Sequence, residues 1–424
     1  MIAIAGLFAS LILFVFLTIK GWNVCFSVLV SIIILAVTNK ISFIGSLTGD
    51  FAEGLGDFAS QWWLLFVLGA VYGKILQESG ISKDISDLLI SYFPKQNILA
   101  LLLVSALMSY GGIGTFVIAF TIYPIAVEIF RKMRISFNLL PATMLFCPTT
   151  ICMTMLPGTP AVQNIIPTRY LDSSIYAAPL FGVMASVICF TFGCLYFQKQ
   201  TRRNQVNAEN IIVKRERKMF FSLIPCITLW IISFICIKLG IDSQYSVEFA
   251  ITVGIFISLL LKQMNKKSEI IRFIDEGVKN GFQTVMITSC IMGYGMVVKS
   301  TMGFMKIVDI FLDFKKNPIF SSIIIINIIA LITGSSASSL SLFFENFAGK
   351  LAGNGINDSL LHRVVCIASG GMDSMPYASG VIVANELSKT KIKDTYIHIF
   401  ITCAILPLIT LIIMIGIIKL IGVL

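Results

Sequence analysis

Charge is scarce in this chain. Asp, Glu, Lys and Arg make up only 13% of its 424 residues, while 57% are hydrophobic, and the mean hydropathy is +0.90. A water-facing surface needs more charge than this, so a soluble globular protein is excluded. Histidine is nearly absent, with two in the chain, His362 and His398. The ten cysteines are scattered through apolar runs and form no CxxC pair. They read as small lipid- or core-facing residues, so neither a disulfide framework nor a metal site is expected. A GxSxG elbow, an HExxH helix and a Walker A loop are all missing, and nothing in the sequence calls for an enzyme or a cofactor. The first apolar run, 2–19, has no basic n-region and no small-residue cleavage site, so it reads as a retained span rather than a signal peptide.

Apolar runs of about 17–25 residues, each long enough to cross a bilayer core, recur along the whole length. The expected spans are 2–19, 22–38, 61–78, 137–157, 173–197, 219–239, 244–262, 281–298, 364–385 and 395–422. A net charge of +10 in a soluble protein would point to nucleic acid. Here the basic residues sit in short loops between spans, where they report topology, and the partner they imply is the lipid bilayer. Trp22, Trp62 and Trp63 read as interfacial anchors opening their spans. The segment 43–60, with Asp50, Glu53 and Asp57, reads as a short amphipathic surface helix, and 269–282 as its counterpart on the other side.

Two further apolar stretches, 97–130 and 318–349, are too long for one span. Each is interrupted near its middle by a Gly/Ser-rich cluster, Ser109 to Thr115 and Thr333 to Ser339. Each cluster is either a tight loop between two full spans or the tip of a re-entrant hairpin, and charge counting favours hairpins. The basic loop 199–218 then lies in the cytoplasm, together with Arg131, Lys132 and Arg134, Lys262, Lys266 and Lys267, and Lys389, Lys391 and Lys393. Both termini fall outside. In this topology 22 of the 32 Lys and Arg are inside, and Lys315 and Lys316 are the pair that fit least well.

The two halves repeat. Gly69 and Gly293 stand 224 residues apart, Gly111 and Gly334 stand 223 apart, and Pro157 and Pro376 stand 219 apart. Residues 1–198 and 219–424 then form two repeats of five spans and one hairpin each, joined by the linker 199–218. Five is odd, so the second repeat is inverted relative to the first. Inverted repeats with paired breaks point to a secondary transporter and its binding site.

Four breaks result. Two are the hairpin tips, carrying Ser109, Gly111, Gly112 and Thr115, and Thr333, Gly334, Ser335 and Ser336. The third is Leu156-Pro157-Gly158-Thr159-Pro160, followed by Gln163 and Asn164. The fourth runs from Ser369 and Gly370 through Asp373 and Ser374 to Pro376 and Tyr377. Unwound backbone at membrane depth is tolerated only inside protein or around a watery cavity, so the four are expected to meet. Each break is expected to expose N–H groups at the start of a following half-helix, an arrangement suited to a carboxylate, with hydroxyls nearby for the substrate's own. That pattern implies a small, hydroxylated organic anion. An acid within a span is costly and usually functional. Asp373 is therefore the candidate for the coupling ion, H⁺ or Na⁺, with a helix-capping role as the alternative. Glu345 is a weaker candidate for the same role. Lys74 and Lys299 fall at equivalent span ends and read as snorkelling to the interface.

At these breaks the chain resembles the gluconate permease (GntP) family of the ion transporter superfamily. The resemblance is carried by YGGIGTFVIAFTIYPIA (110–126), LPGTPAVQNIIPTRY (156–170), HRVVCIASGGMDSMPY (362–377) and the TGSSASSL tip, and covers roughly Phe51 to the C-terminus. It implies proton-coupled uptake of a sugar acid or smaller hydroxy acid across a bacterial inner membrane. It also implies a fold of two inverted repeats, in many members a homodimer. The LPGTP form, with Tyr377 where a histidine is common, looks more like the branch that includes short hydroxy-acid permeases. A Na⁺-coupled carboxylate carrier and a channel are the alternative readings.

Overall fold

The computed structural model describes residues 2–93, 97–110, 114–204, 217–261, 267–312, 318–351 and 357–421, and these are helices joined by turns. Seven of the described helices are long and apolar enough to cross a membrane. They are Ile2–Ile19, Phe43–Glu78, Pro179–Thr201, Met219–Cys236, Gln244–Leu261, Ser268–Ser300 and Ile392–Leu420. The chain is an all-α polytopic membrane protein. Each of the seven falls on one of the ten expected spans. The other three are shorter or interrupted: Val24–Asn39, Phe137–Cys152, and the pair Asp358–Ser369 and Ser379–Ser388.

Local chemistry sets the helix ends. Asn23 caps the second helix by accepting from the Phe26 N–H at 3.2 Å, and Ser42 caps the third through the Gly45 N–H at 3.1 Å. Asn357 does the same for Asp358–Ser369 through the Leu360 N–H at 3.1 Å. Pro148 lies where the helix loosens into a wide turn over Phe146–Cys152, which accommodates its missing donor.

The surface helix expected at 43–60 is not a separate element. It runs into the following span across a kink at Gly49, as the 36-residue stretch Phe43–Glu78, and the segment 269–282 merges into Lys267–Ser300. Helical glycines in both segments allow close packing instead of breaking the helix. A Cβ on Gly277 would lie 2.6 Å from Val71 Cα, and one on Gly281 the same distance from Val67 Cα. A Cβ on Gly54 would lie 2.5 Å from Met296 Cγ. The two long helices therefore cross antiparallel with their backbones in contact. Trp62 and Trp63 sit inside this helix rather than at its start. The Trp62 ring packs 6.0 Å from Phe58, and Trp63 stacks 6.1 Å from Phe282 across the crossing. Lys74 does not simply snorkel, because its ammonium joins Glu78 and Glu276 at 2.8 Å each.

The first two helices pack against Lys267–Ser300 and the helix after it, Met302–Leu312. The Ser10 hydroxyl donates to Ser31 O at 2.7 Å and pairs with the Tyr294 hydroxyl at 2.9 Å. Asn39 Oδ1 accepts from the Gly303 N–H at 2.8 Å. Helix pairs Asn97–Tyr110 with Thr115–Lys132, and Pro318–Thr333 with Ser336–Leu351, occupy the two expected hairpin stretches. At 14 to 18 residues, their arms are about 21–27 Å long. Gly111, Gly112, Lys266, Lys315, Lys316 and the middle of the basic linker lie outside the described residues.

The crossing generates a prediction. Gly281→Ala forces a methyl against the Val67 backbone and is expected to cost about 1–3 kcal/mol, read as a lower melting temperature in detergent. Gly416→Ala meets nothing within 4 Å and is expected to melt no lower than the parent.

Candidate functional site

The fourth break begins where Asp358–Ser369 stops and ends where the chain resumes as Ser379–Ser388. Gly370 and Gly371 are needed there because neighbours crowd the backbone. A Cβ on Gly370 would lie 3.0 Å from Thr154 Cγ2, and one on Gly371 would lie 2.7 Å from Asn327 Oδ1. Thr154 belongs to the unwound end of the helix Phe137–Cys152, so the third and fourth breaks abut. Cys366 Sγ reinforces the contact by donating to Gln163 O at 3.1 Å. The Ser369 hydroxyl turns back on its own helix, to Cys366 O at 2.7 Å.

Asp373 is held inside this junction. The Ser374 hydroxyl donates to its Oδ1 at 2.9 Å, and Ser336 of the second hairpin tip lies beside it. Gln163 Nε2 in turn donates to Ser336 Oγ at 3.0 Å. Neighbouring side chains thus connect the third break, the second tip and the fourth break. Among the described residues, no Lys, Arg or His forms an ion pair with Asp373.

Tyr377 fastens the fourth break to the second tip. Its hydroxyl donates to Leu331 O, and its ring covers Gly334, whose Cβ would lie 3.0 Å away. Gly334 has φ +61°, a left-handed conformation that favours glycine. Around it, Thr333 Oγ1 donates to Ile329 O at 2.9 Å, and Ser335 Oγ accepts from the Ser338 N–H at 3.3 Å to cap the returning helix.

The third break departs from expectation. No half-helix follows it. Pro157 and Pro160 flank a turn at Gly158, φ +81°, and then come a four-residue helix, Val162–Ile165, a short turn to Arg169, and an irregular stretch up to Pro179. Helix-end N–H groups therefore frame this break less than side chains do. Asn164 Nδ2 donates to Thr159 O at 3.0 Å and to Ile175 O at 2.9 Å. Its Oδ1 pairs with His362 Nε2 at 3.2 Å, while His362 Nδ1 meets the Ser173 hydroxyl at 2.9 Å. Arg363 donates from Nε to Ala177 O and from Nη2 to Ile175 O, both at 3.1 Å.

The first tip joins the same junction. Thr115 Oγ1 lies 2.9 Å from Met153 Sδ, Cys152 Sγ donates to Ala106 O at 3.4 Å, and a Cβ on Gly158 would lie 3.3 Å from the Tyr110 hydroxyl. All four interrupted segments therefore meet. Glu345 is not among them. It is exposed on the arm Ser336–Leu351 and takes no part in the contacts that join the breaks.

Sequence reasoning passed over His362, Arg363 and Asn327. The expected span began at 364, which left His362 and Arg363 outside it. The Asn357-Asp358 capping pair was the signal that the helix begins earlier and carries both residues inward. Both are fully buried. Among the described residues, no group of three or more His, Cys, Asp or Glu is gathered as a metal cluster.

No family model matches the chain. It is 26% identical over 441 aligned positions to a *Bacillus subtilis* (strain 168) protein named uncharacterized transporter YxjC, an alignment covering 92% of this chain and 93% of that one.

Asn164 is the joint of the third break. Asn164→Leu keeps its size but strands the Thr159 and Ile175 carbonyls and His362, at an expected cost of about 2–3 kcal/mol. A lower melting temperature together with faster proteolysis within 166–178 is the expected result. An unchanged melting curve counts against the joint.

Proposed function

We propose that this chain is a bacterial secondary active transporter that carries a small organic anion, a sugar acid or short hydroxy acid, by proton symport. The observation that carries the reading is Asp373. A carboxyl group sits where the second hairpin tip meets the broken segments, bonded by a hydroxyl and, among the described residues, with no ion-paired cation. A group so placed takes up and releases a proton as the site changes its exposure. The hydroxyls of Ser336, Ser374 and Thr159, with Gln163 and Asn164, provide the donors and acceptors that a hydroxylated substrate needs. Two further points support the reading: the resemblance of the four breaks to gluconate permeases, and the similarity over nearly the whole chain to a protein named as a transporter. In this proposal the two halves are inverted repeats, both termini face outside the inner membrane, and the molecule works by alternating access, as a homodimer by analogy with the family.

Na⁺ coupling is the second reading. It is favoured by the second tip, where the Ser335 carbonyl and the Thr333, Ser335 and Ser336 hydroxyls crowd together beside Asp373. A channel is disfavoured, since paired breaks around an acid add nothing to passive flow.

Reconstitution into liposomes tests the reading. The expected result is saturable uptake of at least one of gluconate, glycerate, lactate or 3-hydroxybutyrate, driven uphill by an inward proton gradient, abolished by a protonophore and unchanged when choline replaces Na⁺. Asp373→Asn is expected to lose uphill accumulation while keeping anion exchange. If Asp373→Asn still concentrates substrate, the coupling role is wrong. Loss of uptake in choline moves the coupling to Na⁺.

A further inference from the structure

The third break holds more donors than acceptors. The Ile175 carbonyl receives three: the Gly158 N–H at 2.9 Å, Asn164 Nδ2 at 2.9 Å and Arg363 Nη2 at 3.1 Å. A carbonyl oxygen has two lone pairs, so one donor is served poorly. Two more groups in the same place are buried with no partner, Arg363 Nη1 and the Thr159 hydroxyl. Arg363 is 0% exposed, and among the described residues it forms no ion pair. Its contacts are backbone carbonyls. The nearest acid along its helix, Asp358, is turned to the Asp172 N–H at 2.9 Å. His362, the other titratable group at this face, is tied to Asn164 and Ser173.

A buried guanidinium that meets only carbonyls keeps most of its charge uncompensated, and burying such a charge is expensive. The fork of an arginine fits the two oxygens of a carboxylate. We propose that Arg363, Asn164, the Gly158 N–H and Thr159 form the subsite that takes the carboxylate of the transported anion. In the arrangement seen here the Ile175 carbonyl fills that subsite as a stand-in. The segment 170–178 is then a strap that competes with the substrate for the same donors. It leaves when a carboxylate, with two oxygens and a full charge, satisfies those donors better. This rests on the organic-anion reading above and deepens it, because it separates the charge-recognising end of the site from the Asp373 end.

The test uses the full-length protein in detergent and in liposomes, with the four hydroxy acids above and their uncharged carboxamides as probes. The parent is expected to be stabilised against heat by at least one acid and not by its amide. Arg363→Lys is expected to weaken that binding at least tenfold, raising KM more than it lowers the maximal rate. Arg363→Gln is expected to weaken it a hundredfold or more and to erase the preference for acid over amide. On the parent protein, phenylglyoxal labelling of Arg363, read by peptide mass spectrometry, is expected to slow when the acid is present; this readout does not depend on the variants folding. If the parent binds acids and the variants, folded by size-exclusion chromatography, bind them as tightly and as selectively, the subsite is overturned while the transporter reading stands. Arg363 that never labels, or labels at the same rate with and without the acid, overturns it too. A parent stabilised by no acid sinks both readings.

Discussion

Backbone amides and carbonyls inside a bilayer have no water to bond with, and each one left unpaired costs several kcal/mol. A helix solves this within itself. Wherever the helix stops, the protein must supply partners from elsewhere, and this chain is interrupted at four places that meet one another. The stops are satisfied mutually. Asn164 serves the carbonyls of 159 and 175, Arg363 those of 175 and 177, and Tyr377 that of 331. Cys366 reaches 163. Every one of these bonds crosses between segments distant in sequence or bridges an irregular loop. The polar centre of the molecule follows from this constraint, because the interrupted segments have nowhere else to go.

Much of this was legible in the residues. The apolar runs marked the helices, and the Gly/Ser clusters marked where each of the two helix pairs divides. The Pro-Gly and Gly-Gly pairs gave the other two breaks, and the requirement that broken backbone be enclosed implied their meeting. What the sequence could not give was longer-range. Charge counting favoured hairpins, but it does not separate a hairpin from a pair of full spans, since both return the chain to the same side. Gly54, Gly277 and Gly281 look like helix breakers one by one, and only the facing helix shows that they are points of backbone contact. Arg363 was hidden because hydropathy places a charged residue at a span's edge. Its helix starts at Asp358, so the guanidinium is carried inward under the 170–178 segment.

The polar centre is asymmetric in charge. Asp373 places an acid beside hydroxyls, and Arg363 places a guanidinium among carbonyls. They lie on opposite sides of the Ser369-Gly370 turn, six residues before it and four after it on a single broken helix. Neither is joined to the other by an ion pair among the described residues. In a low-dielectric interior, two unlike charges left apart hold a strong local field. A molecule with an anionic end and hydroxyls along its body is shaped to lie along such a field. The one chain segment thus sets the direction in which a solute would enter.

The contact between the two long helices has a mechanical meaning. Side chains that interlock can hop between rotamers and let neighbouring helices slip. Where the Cα of Val67 and Val71 rest against glycines, there is no side chain to hop, and a shift by one residue along the axis drives a Cβ into backbone. Sliding is therefore blocked, while small rocking about the contact is not. The crossed pair behaves as a fixed strut, and any rearrangement that uncovers the buried centre must be borne by the thinner parts of the molecule, the two hairpins and the strap, moving against it.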